Sequence, residues 1–347
     1  MDDLRMLRDF GNGLEHEPPA SLVRQRARFM ERPRRRFRLG GWPTLGLAAV
    51  ATAAAVAVPM VLLQGGQQLA GRTVPPPVGN RPVKASEALN VLLVGSDTRQ
   101  GEGNAKYGPV EARMDSARSD TIVLLHLSAD GESVSAVSLP RDSIVKLPAC
   151  AKVSEGMINS ALNAGGLQCA WQTVEKATGV RVDHAVEIDF SGFKEMVDAI
   201  GTVRVKVPTP IKDAKSKLTL PAGENELNGE QALGYVRLRA YGDGSDLSRI
   251  RRQQGFMTAM VREVRSDPTK LAAFIQAASK AVTTDEKLGV KEMSDIARGM
   301  SGAKVSFLTV PVVPHPQDQN RLKWKDPEAG RLFKAIAHDQ PIGQKVQ

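Results

Sequence analysis

The sequence of 347 residues lacks the short motifs that mark several large enzyme classes. It has no Walker A phosphate-binding loop, no Gly-x-Ser-x-Gly of the serine hydrolases and no His-Glu-x-x-His of the zinc proteases. It also has no internal repeat or heptad run, and aromatic residues make up only 4% of the chain. Hydrophobic residues nevertheless reach 41%, which is enough for the core of one large domain or two small ones.

Cysteine and histidine are scarce. The two cysteines, Cys150 and Cys169, have a spacing that fits no zinc-binding pattern. In an oxidising compartment they can form a disulfide that closes a loop of roughly twenty residues and contributes on the order of 3 kcal/mol. We predict this disulfide, with two free thiols as the alternative. Two of the five histidines, His126 and His184, fall inside strand patterns, and we expect them to be structural.

Positive charge is concentrated near the amino terminus. The formal net charge is +9, and residues 1–40 carry ten arginines against six acidic residues. An uncharged run of 22 residues follows at 42–63, and at ~1.5 Å per residue it spans the ~30 Å hydrocarbon core of a membrane. We predict a single-pass protein of the cell membrane, with a cytoplasmic basic tail (1–41), a transmembrane helix and an extracellular remainder. A cleaved signal peptide and a buried soluble helix are the alternatives.

The remaining sequence predicts a linker, a folded domain and a tail. Residues 64–85 are rich in Gly, Pro and Gln and predict a flexible linker. Residues 86–313 alternate short apolar strand patterns, such as 89–95 and 121–127, with helical patterns. This alternation predicts an α/β domain of three α-β-α layers with a central mixed sheet. Residues 314–347 are polar, and we expect a loosely held tail.

Charged side chains border three of the predicted strands. They are Asp97, Arg99, Arg118, Asp120 and Arg141. Strand ends in open α/β sheets are places where ligands bind. Two carboxylates suit Mg²⁺, which commonly binds through one or two carboxylates and the phosphates of a substrate. A structural ion pair is the alternative for Asp97, and a simple turn cap is the alternative for Asp120.

One segment, YVRLRAYGDGSDLSRIRRQQ, carries five arginines. In its first part we expect an extended chain that places Arg237 and Arg239 on one face. In its second part we expect a helix on which Arg249 and Gln253 lie one turn apart, beside the buried stripe. Asp246 precedes this turn and is predicted to cap or orient it.

We expect these arginines to converge with Arg99, Arg118 and Arg141. A cluster of about six guanidinium groups repels itself without a counter-anion, and two carboxylates cannot neutralise it. A diphosphate can, because guanidinium groups bind phosphate oxygens in bidentate fashion. The arrangement therefore predicts a diphosphate ligand.

Several motifs follow one another in the order found in the LytR–CpsA–Psr family, which the sequence resembles. They are NVLLVGSDTR, ARSDTIVLLHL, AVSLPRDSIV, INSALNAGG, VEIDFSGFKEMVDAIG and LNGEQALGYVRLR with DLSRIRRQQ. The resemblance covers residues 88–265. The predicted anchor and linker that precede this region fit the type II membrane topology of that family.

The resemblance implies a phosphotransferase that moves a glycopolymer from a polyprenyl-diphosphate lipid carrier onto peptidoglycan and forms a phosphodiester bond. It implies that Asp97 and Asp120 hold Mg²⁺ at the diphosphate. The substrate-binding residues that it implies are Arg99, Arg118, Arg141, Arg237, Arg239, Arg249 and Gln253. The catalytic residues that it implies are Asp97, Asp120, Arg141, Arg237, Arg239 and Asp246. It also implies an apolar tunnel for the lipid between sheet and helices.

The sequence leaves alternatives to these assignments. Asp243 competes with Asp246, which we prefer because its spacing to Arg249 fits the family pattern. Further acidic residues between the two predicted metal ligands complicate that assignment: Glu102, Glu111 and Asp115. The alternative functions are a membrane-anchored polyprenyl-diphosphate hydrolase and a non-catalytic, lipid-binding regulator of the cell wall. Nucleic acid is not expected as a partner, since the basic site lies outside the membrane.

Overall fold

The computed structural model of the protein describes residues 72–97, 119–214, 216–238, 241–242 and 246–342. These residues belong to one compact unit that spans Gly65–Gln347. The predicted basic tail (1–41) and the predicted transmembrane helix (42–63) lie outside the described residues. Within the described ranges, no helix combines the length and the apolar character that a bilayer crossing needs.

A seven-stranded mixed sheet forms the centre of the domain. Its spatial order is β1-β12-β7-β2-β3-β4-β13, in which β2 pairs antiparallel with β3 and parallel with β7. The strands are β1 (Thr73–Val74), β2 (Leu89–Ser96), β3 (Ser119–Leu127), β4 (Ser133–Ser138), β5 (Ile144–Lys146), β6 (Glu155–Met157), β7 (His184–Ile188), β8 (Val203–Val207), β9 (Ile211–Asp213), β10 (Leu218–Leu220), β11 (Gly223–Leu227), β12 (Val282–Asp285), β13 (Lys304–Thr309), β14 (Val312–His315) and β15 (Asp318–Trp324).

Helices cover both faces of this sheet. They are α1 (Ser160–Thr178), α2 (Phe190–Ala199), α3 (Gly229–Arg237), α4 (Asp246–Ser266), α5 (Pro268–Ala281), α6 (Val290–Gly302) and α7 (Glu328–Ala337). Successive strand residues point to opposite faces. Leu92 therefore packs with α1 and α7, whereas Val91 packs with α2, α5 and α6. The predicted mixed α/β fold, with a central mixed sheet and helices, is confirmed.

A smaller apolar cluster lies beside the sheet. The hairpins β8–β11 and β9–β10 contribute alternating buried residues such as Val203 and Val205, which pack with α3 and α4. Phe256 of α4 is 1% exposed, and its ring centroid lies 5.6 Å from that of Phe193. This cluster fixes the beginning of α4 relative to the end of α3, where several of the predicted site residues lie.

Most of the predicted flexible linker, from residue 72 onward, is part of the folded domain. Residues Thr73–Val74 pair with β12 as the edge strand β1. Farther along, Arg81 donates two hydrogen bonds to the buried carboxylate of Glu175, at 2.6 and 2.8 Å. Its guanidinium group also lies 4.8 Å from the ring centroid of Trp171. The prediction of a linker through residue 85 is wrong for residues 72–85, because composition does not reveal these long-range contacts.

The predicted loose tail is also wrong for residues 314–342. Residues 318–324 form β15, and α7 buries Leu332, Phe333 and Ile336 against the sheet. Beyond α7, Asp339 Oδ1 lies 3.1 Å from Nε2 of His126, whose Nδ1 lies 2.8 Å from the Oδ1 of Asn90. The apolar residues of α7 have the spacing of one helix face. Charged residues lie between them, so the segment is polar on average, and its composition alone indicates a tail.

Candidate active site

Asp97 and Asp120 lie at neighbouring positions of the central sheet. In the β2–β3 ladder, Gly95 pairs with Thr121 and Ser96 pairs with Ser119, so Asp120 falls between two pairs as the additional residue of a bulge. Asp97 directly follows Ser96 and is half-buried. The backbone thus brings both predicted carboxylate positions to one end of the sheet, although the side chain of Asp120 is outside the described part. Arg99 and Arg118 also lie outside the described residues.

Three predicted substrate-binding residues meet in one cleft. The cleft is shallow and partly open to solvent. Arg141 reaches it from the turn after β4, and Arg249 and Gln253 reach it from the first turns of α4. Arg249 and Gln253 are only 5% and 9% exposed. The remaining lining residues are Thr121, Ile122, Ser138, Leu139, Pro140 and Ile250.

The carboxylate positions and the arginine cleft belong to the same end of the sheet. Thr121, which lines the cleft, directly follows Asp120 in β3. Asp246 is the first residue of α4, three residues before Arg249, but the structure does not describe its side chain. Asp243 and Arg239 are outside the described residues. The described part of the site therefore contains Asp97, Arg141 and the Arg249–Gln253 turn of α4, all at the same end of the central sheet.

Arg237 lies at the end of a helix, not in an extended chain as predicted. Helix α3 begins with a capping box in which Asn228 and Gln231 satisfy each other's backbone N–H groups. The helix continues through Arg237 and is followed by Leu238, whose ψ of 133° is not helical. The guanidinium group of Arg237 lies over the ring of Phe190, 4.4 Å from its centroid, a cation–π contact. The alternation of polar and apolar residues is typical of a strand, but the capping box at Asn228 starts a helix that extends through this segment.

Arg252 and Gln253 hold the end of α3 in place. Arg252 donates hydrogen bonds to the carbonyl oxygens of Tyr235 at 3.1 Å, Tyr241 at 3.4 Å and Leu238. Burial lowers the pKa of Arg252, and the nearby positive charge of Arg249 lowers it further. Gln253 Nε2 donates to the carbonyl oxygen of Val236 at 3.3 Å. The sequence alone does not assign a role to Arg252, since its carbonyl partners come from tertiary packing.

The carboxylate of Asp142 contacts Arg141 in the turn after β4. Asp142 Oδ2 accepts a hydrogen bond from Nε of Arg141 at 3.3 Å, and its Oδ1 lies 3.7 Å from Nη1 of Arg321 on β15. Asp142 is therefore placed between an arginine of the cleft and one of the carboxyl-terminal hairpin. The motif LPRD places Asp142 directly after Arg141, so the sequence indicates this contact. It does not indicate the contact with Arg321, which lies in the segment predicted as a tail.

The structure joins Cys150 to Cys169 by a disulfide, with their Cα atoms 5.8 Å apart. Cys150 lies in a short 3₁₀ turn (Ala149–Ala151), and Cys169 lies in α1. The bond thus attaches the chain that follows Arg141 to helix α1, which packs against the sheet. His184, predicted to be structural, has its Nδ1 3.1 Å from the buried carboxylate of Asp285.

Comparisons with known proteins agree with this architecture. The model of the LytR_cpsA_psr family matches residues 66–335, well over half of the chain. The probable cell wall biosynthesis protein LcpB of Corynebacterium glutamicum is 36% identical over 265 residues, which cover 73% of this chain and 62% of that protein. The polyisoprenyl-teichoic acid–peptidoglycan teichoic acid transferase TagV of Bacillus subtilis is 28% identical over 226 residues, or 62% of this chain and 58% of that protein.

The fold is shared with solved structures. The LytR-Csp2A-Psr enzyme from Actinomyces oris superposes with a TM-score of 0.62 at 21% identity, over 77% of this chain and 96% of that one. The match spans only about three fifths of the length of LcpB and TagV. Since the family model covers both the central sheet and the arginine cleft, the chain belongs to the LytR–CpsA–Psr family.

Proposed function

We propose that the protein is a phosphotransferase that moves a glycopolymer from a polyprenyl-diphosphate lipid carrier onto peptidoglycan and forms a phosphodiester bond. The observation that carries this proposal is the cleft in which Arg141, Arg249 and Gln253 meet beside the strand ends of Asp97 and Asp120. Membership of the LytR–CpsA–Psr family supports the same reaction. So does the name of the relative TagV, a polyisoprenyl-teichoic acid–peptidoglycan teichoic acid transferase.

The side chains of the cleft suit phosphoryl transfer by positioning and charge stabilisation. The guanidinium groups of Arg141 and Arg249 bind phosphate oxygens and stabilise the negative charge that spreads over them in the transition state. The side-chain amide of Gln253 adds an uncharged hydrogen-bond donor beside Arg249 in the same cleft. An acceptor hydroxyl attacks the phosphorus that bears the glycopolymer, and the bond to the polyprenyl phosphate breaks. The hydroxyl proton passes to a carboxylate of the site.

Mg²⁺ is the proposed cofactor. The donor set fits this ion, because Asp97 and Asp120 occupy neighbouring positions on β2 and β3, and Mg²⁺ binds one or two carboxylates together with phosphate oxygens. Substrate oxygens and water would complete the coordination. When bound there, the ion would neutralise charge on the diphosphate.

We also propose that the protein is anchored in the cell membrane through residues 42–63, with its amino terminus in the cytoplasm and its folded domain outside. The arginine cluster before the uncharged run supports this orientation. The disulfide between Cys150 and Cys169 fits an oxidising compartment. The proposed partners are therefore a lipid-linked glycopolymer, peptidoglycan and the membrane.

The reaction can be tested with full-length protein in vesicles that carry a polyprenyl-diphosphate-linked glycopolymer. We expect polymer to appear on peptidoglycan, and polyprenyl phosphate to be released, only when a glycan acceptor is supplied. Rapid release of phosphate or polymer without acceptor would identify a hydrolase instead. Binding of the lipid-linked polymer without any release would identify a regulator.

Two variants of helix α4 link the reaction to the cleft. Arg249 is buried at the cleft wall, whereas Arg251, two residues later, is exposed. We expect Arg249→Ala to lower kcat/KM by about 100-fold, the effect of removing one donor to a transition-state oxyanion. Arg251→Ala should stay within about twofold of the wild type, as surface substitutions usually do. Equal activities of the two variants would remove Arg249 from the site.

A further inference from the structure

One half-buried glutamine fastens helix α4 to the central sheet. The Nε2 atom of Gln254 lies 2.9 Å from the carbonyl oxygen of Leu308 and 3.1 Å from the hydroxyl oxygens of Ser138 and Thr309. A glutamine amide nitrogen carries two hydrogens, so three acceptors at these distances use its full donor capacity.

The three acceptors belong to the ends of two paired strands. Ser138 of β4 and Thr309 of β13 are direct partners in a parallel ladder. Strand β13 is the last strand of the seven-stranded sheet. Gln254 contacts groups of both strands through one side-chain nitrogen and so docks α4 onto the paired ends of β4 and β13.

This attachment lies between the two elements that form the cleft. Ser138 lines the cleft, and Arg141 follows it by three residues on the strand side. On the helix side, Arg249 and Gln253 lie five residues and one residue before Gln254. The distance between Arg141, in the turn after β4, and Arg249 of α4 therefore depends on how closely α4 sits against Ser138.

We propose that Gln254 is a positioning residue, which sets the spacing of Arg141 and Arg249 and thereby the fit of the cleft to a diphosphate. The identity of the ligand rests on the proposed function, whereas the attachment itself does not. Gln254 contacts the sheet and not the cleft ligand, so its effect on binding passes through the position of α4. Bidentate guanidinium contacts are sensitive to such displacements, because both hydrogen bonds must form at once.

Two substitutions of Gln254 and one matched control test this role. Gln254→Met keeps the length of the side chain but removes the donor, and Gln254→Glu keeps its shape but turns an acceptor toward the Leu308 carbonyl group. The control is Asn225→Leu on β11, because Asn225 is a 9% exposed amide that also donates two hydrogen bonds, at 3.0 Å each, to the carbonyl oxygens of Pro221 and Gly223. It removes a comparable amide at a position that does not line the cleft.

The first measurement is the binding of inorganic pyrophosphate to the full-length protein by calorimetry. We expect both Gln254 variants to raise the Kd about tenfold, whereas Asn225→Leu changes it by less than about twofold. In the transfer assay, the KM for the lipid-linked donor should rise about tenfold and the KM for the glycan acceptor should not change. A lower kcat with both KM values unchanged would mean a smaller folded fraction and would overturn the positioning role.

The second measurement separates the attachment from the reaction. Hydrogen exchange of the backbone amides at residues 249–254 should be faster in Gln254→Met than in wild type and unchanged in Asn225→Leu. Unchanged exchange in Gln254→Met would overturn the proposal whatever the ligand is. Wild-type protein that neither binds pyrophosphate nor transfers polymer would refute the proposed function instead, and faster exchange would then still support Gln254 as the attachment of α4.

Discussion

Replacing Arg252 by lysine would test how firmly the end of α3 is held. Arg252 donates hydrogen bonds to the carbonyl oxygens of Tyr235, Leu238 and Tyr241. Lysine has one nitrogen, which can reach one of these oxygens, so at least two hydrogen bonds are lost. Each hydrogen bond from a charged donor is worth roughly 1.5–3 kcal/mol, and water replaces part of it at a half-buried site. We therefore expect the free energy of unfolding to fall by about 2–3 kcal/mol.

The Arg252→Lys substitution should also lower the proposed transfer activity, because it affects the position of Arg237. Arg237 is the last residue of α3, so loosening the carbonyl groups around Leu238 frees its guanidinium group to move away from the ring of Phe190. We expect a loss of transfer activity of at least about tenfold under conditions where the variant is still folded, since each 1.4 kcal/mol of lost contact energy corresponds to a factor of ten.

Urea unfolding followed by circular dichroism gives the stability, and Arg251→Lys provides the control. Arg251 is the exposed neighbour of Arg252, and its replacement by lysine should change the free energy of unfolding by less than about 0.5 kcal/mol. If Arg252→Lys were as stable and as active as Arg251→Lys, the three carbonyl contacts would contribute nothing and the reasoning would be refuted.

Two further predictions concern pH and topology. Burial lowers the pKa of His126 below its ordinary value of 6.5, and this effect outweighs the neighbouring charge of Asp339. The unfolded chain therefore binds more protons than the folded chain below pH 6.5, and the free energy of unfolding should fall by up to about 1.4 kcal/mol per pH unit as the pH drops. His126→Gln should abolish this part of the slope in urea titrations at several pH values, and an unchanged slope would contradict it. Protease added to intact cells should digest the domain at 72–342, and full protection would reverse the proposed orientation.

The sequence predicts the elements whose pattern is local. Continuous apolar runs gave β2 and β3 within a few residues, because a strand buried on both faces needs little else. The helical periodicity after Ser248 likewise gave α4, with Arg249 and Gln253 at one wall. These two residues face the same cleft because a four-residue spacing returns to the same side of a helix.

The sequence does not predict the features that depend on distant partners. The position of Arg237 on a helix follows from a cap nine residues earlier, which outweighs the alternation around it. Arg81 looked like part of a flexible linker because its partner, Glu175, is 94 residues away. The sequence leaves the role of Arg252 open because the carbonyl groups that it binds are brought together only where the chain turns after α3.

The pairing of Ser96 with Ser119 has a consequence for the stretch between the two aspartates. The ladder joins β2 to β3 at the positions that flank residues 98–118, so the separation of the Asp97 backbone from that of Asp120 is fixed by ladder hydrogen bonds and not by how many residues intervene. Doubling the length of such an excursion costs only about 0.6 kcal/mol in closure entropy. Insertions and deletions between the two strands can therefore accumulate while the backbone positions of Asp97 and Asp120 stay where they are.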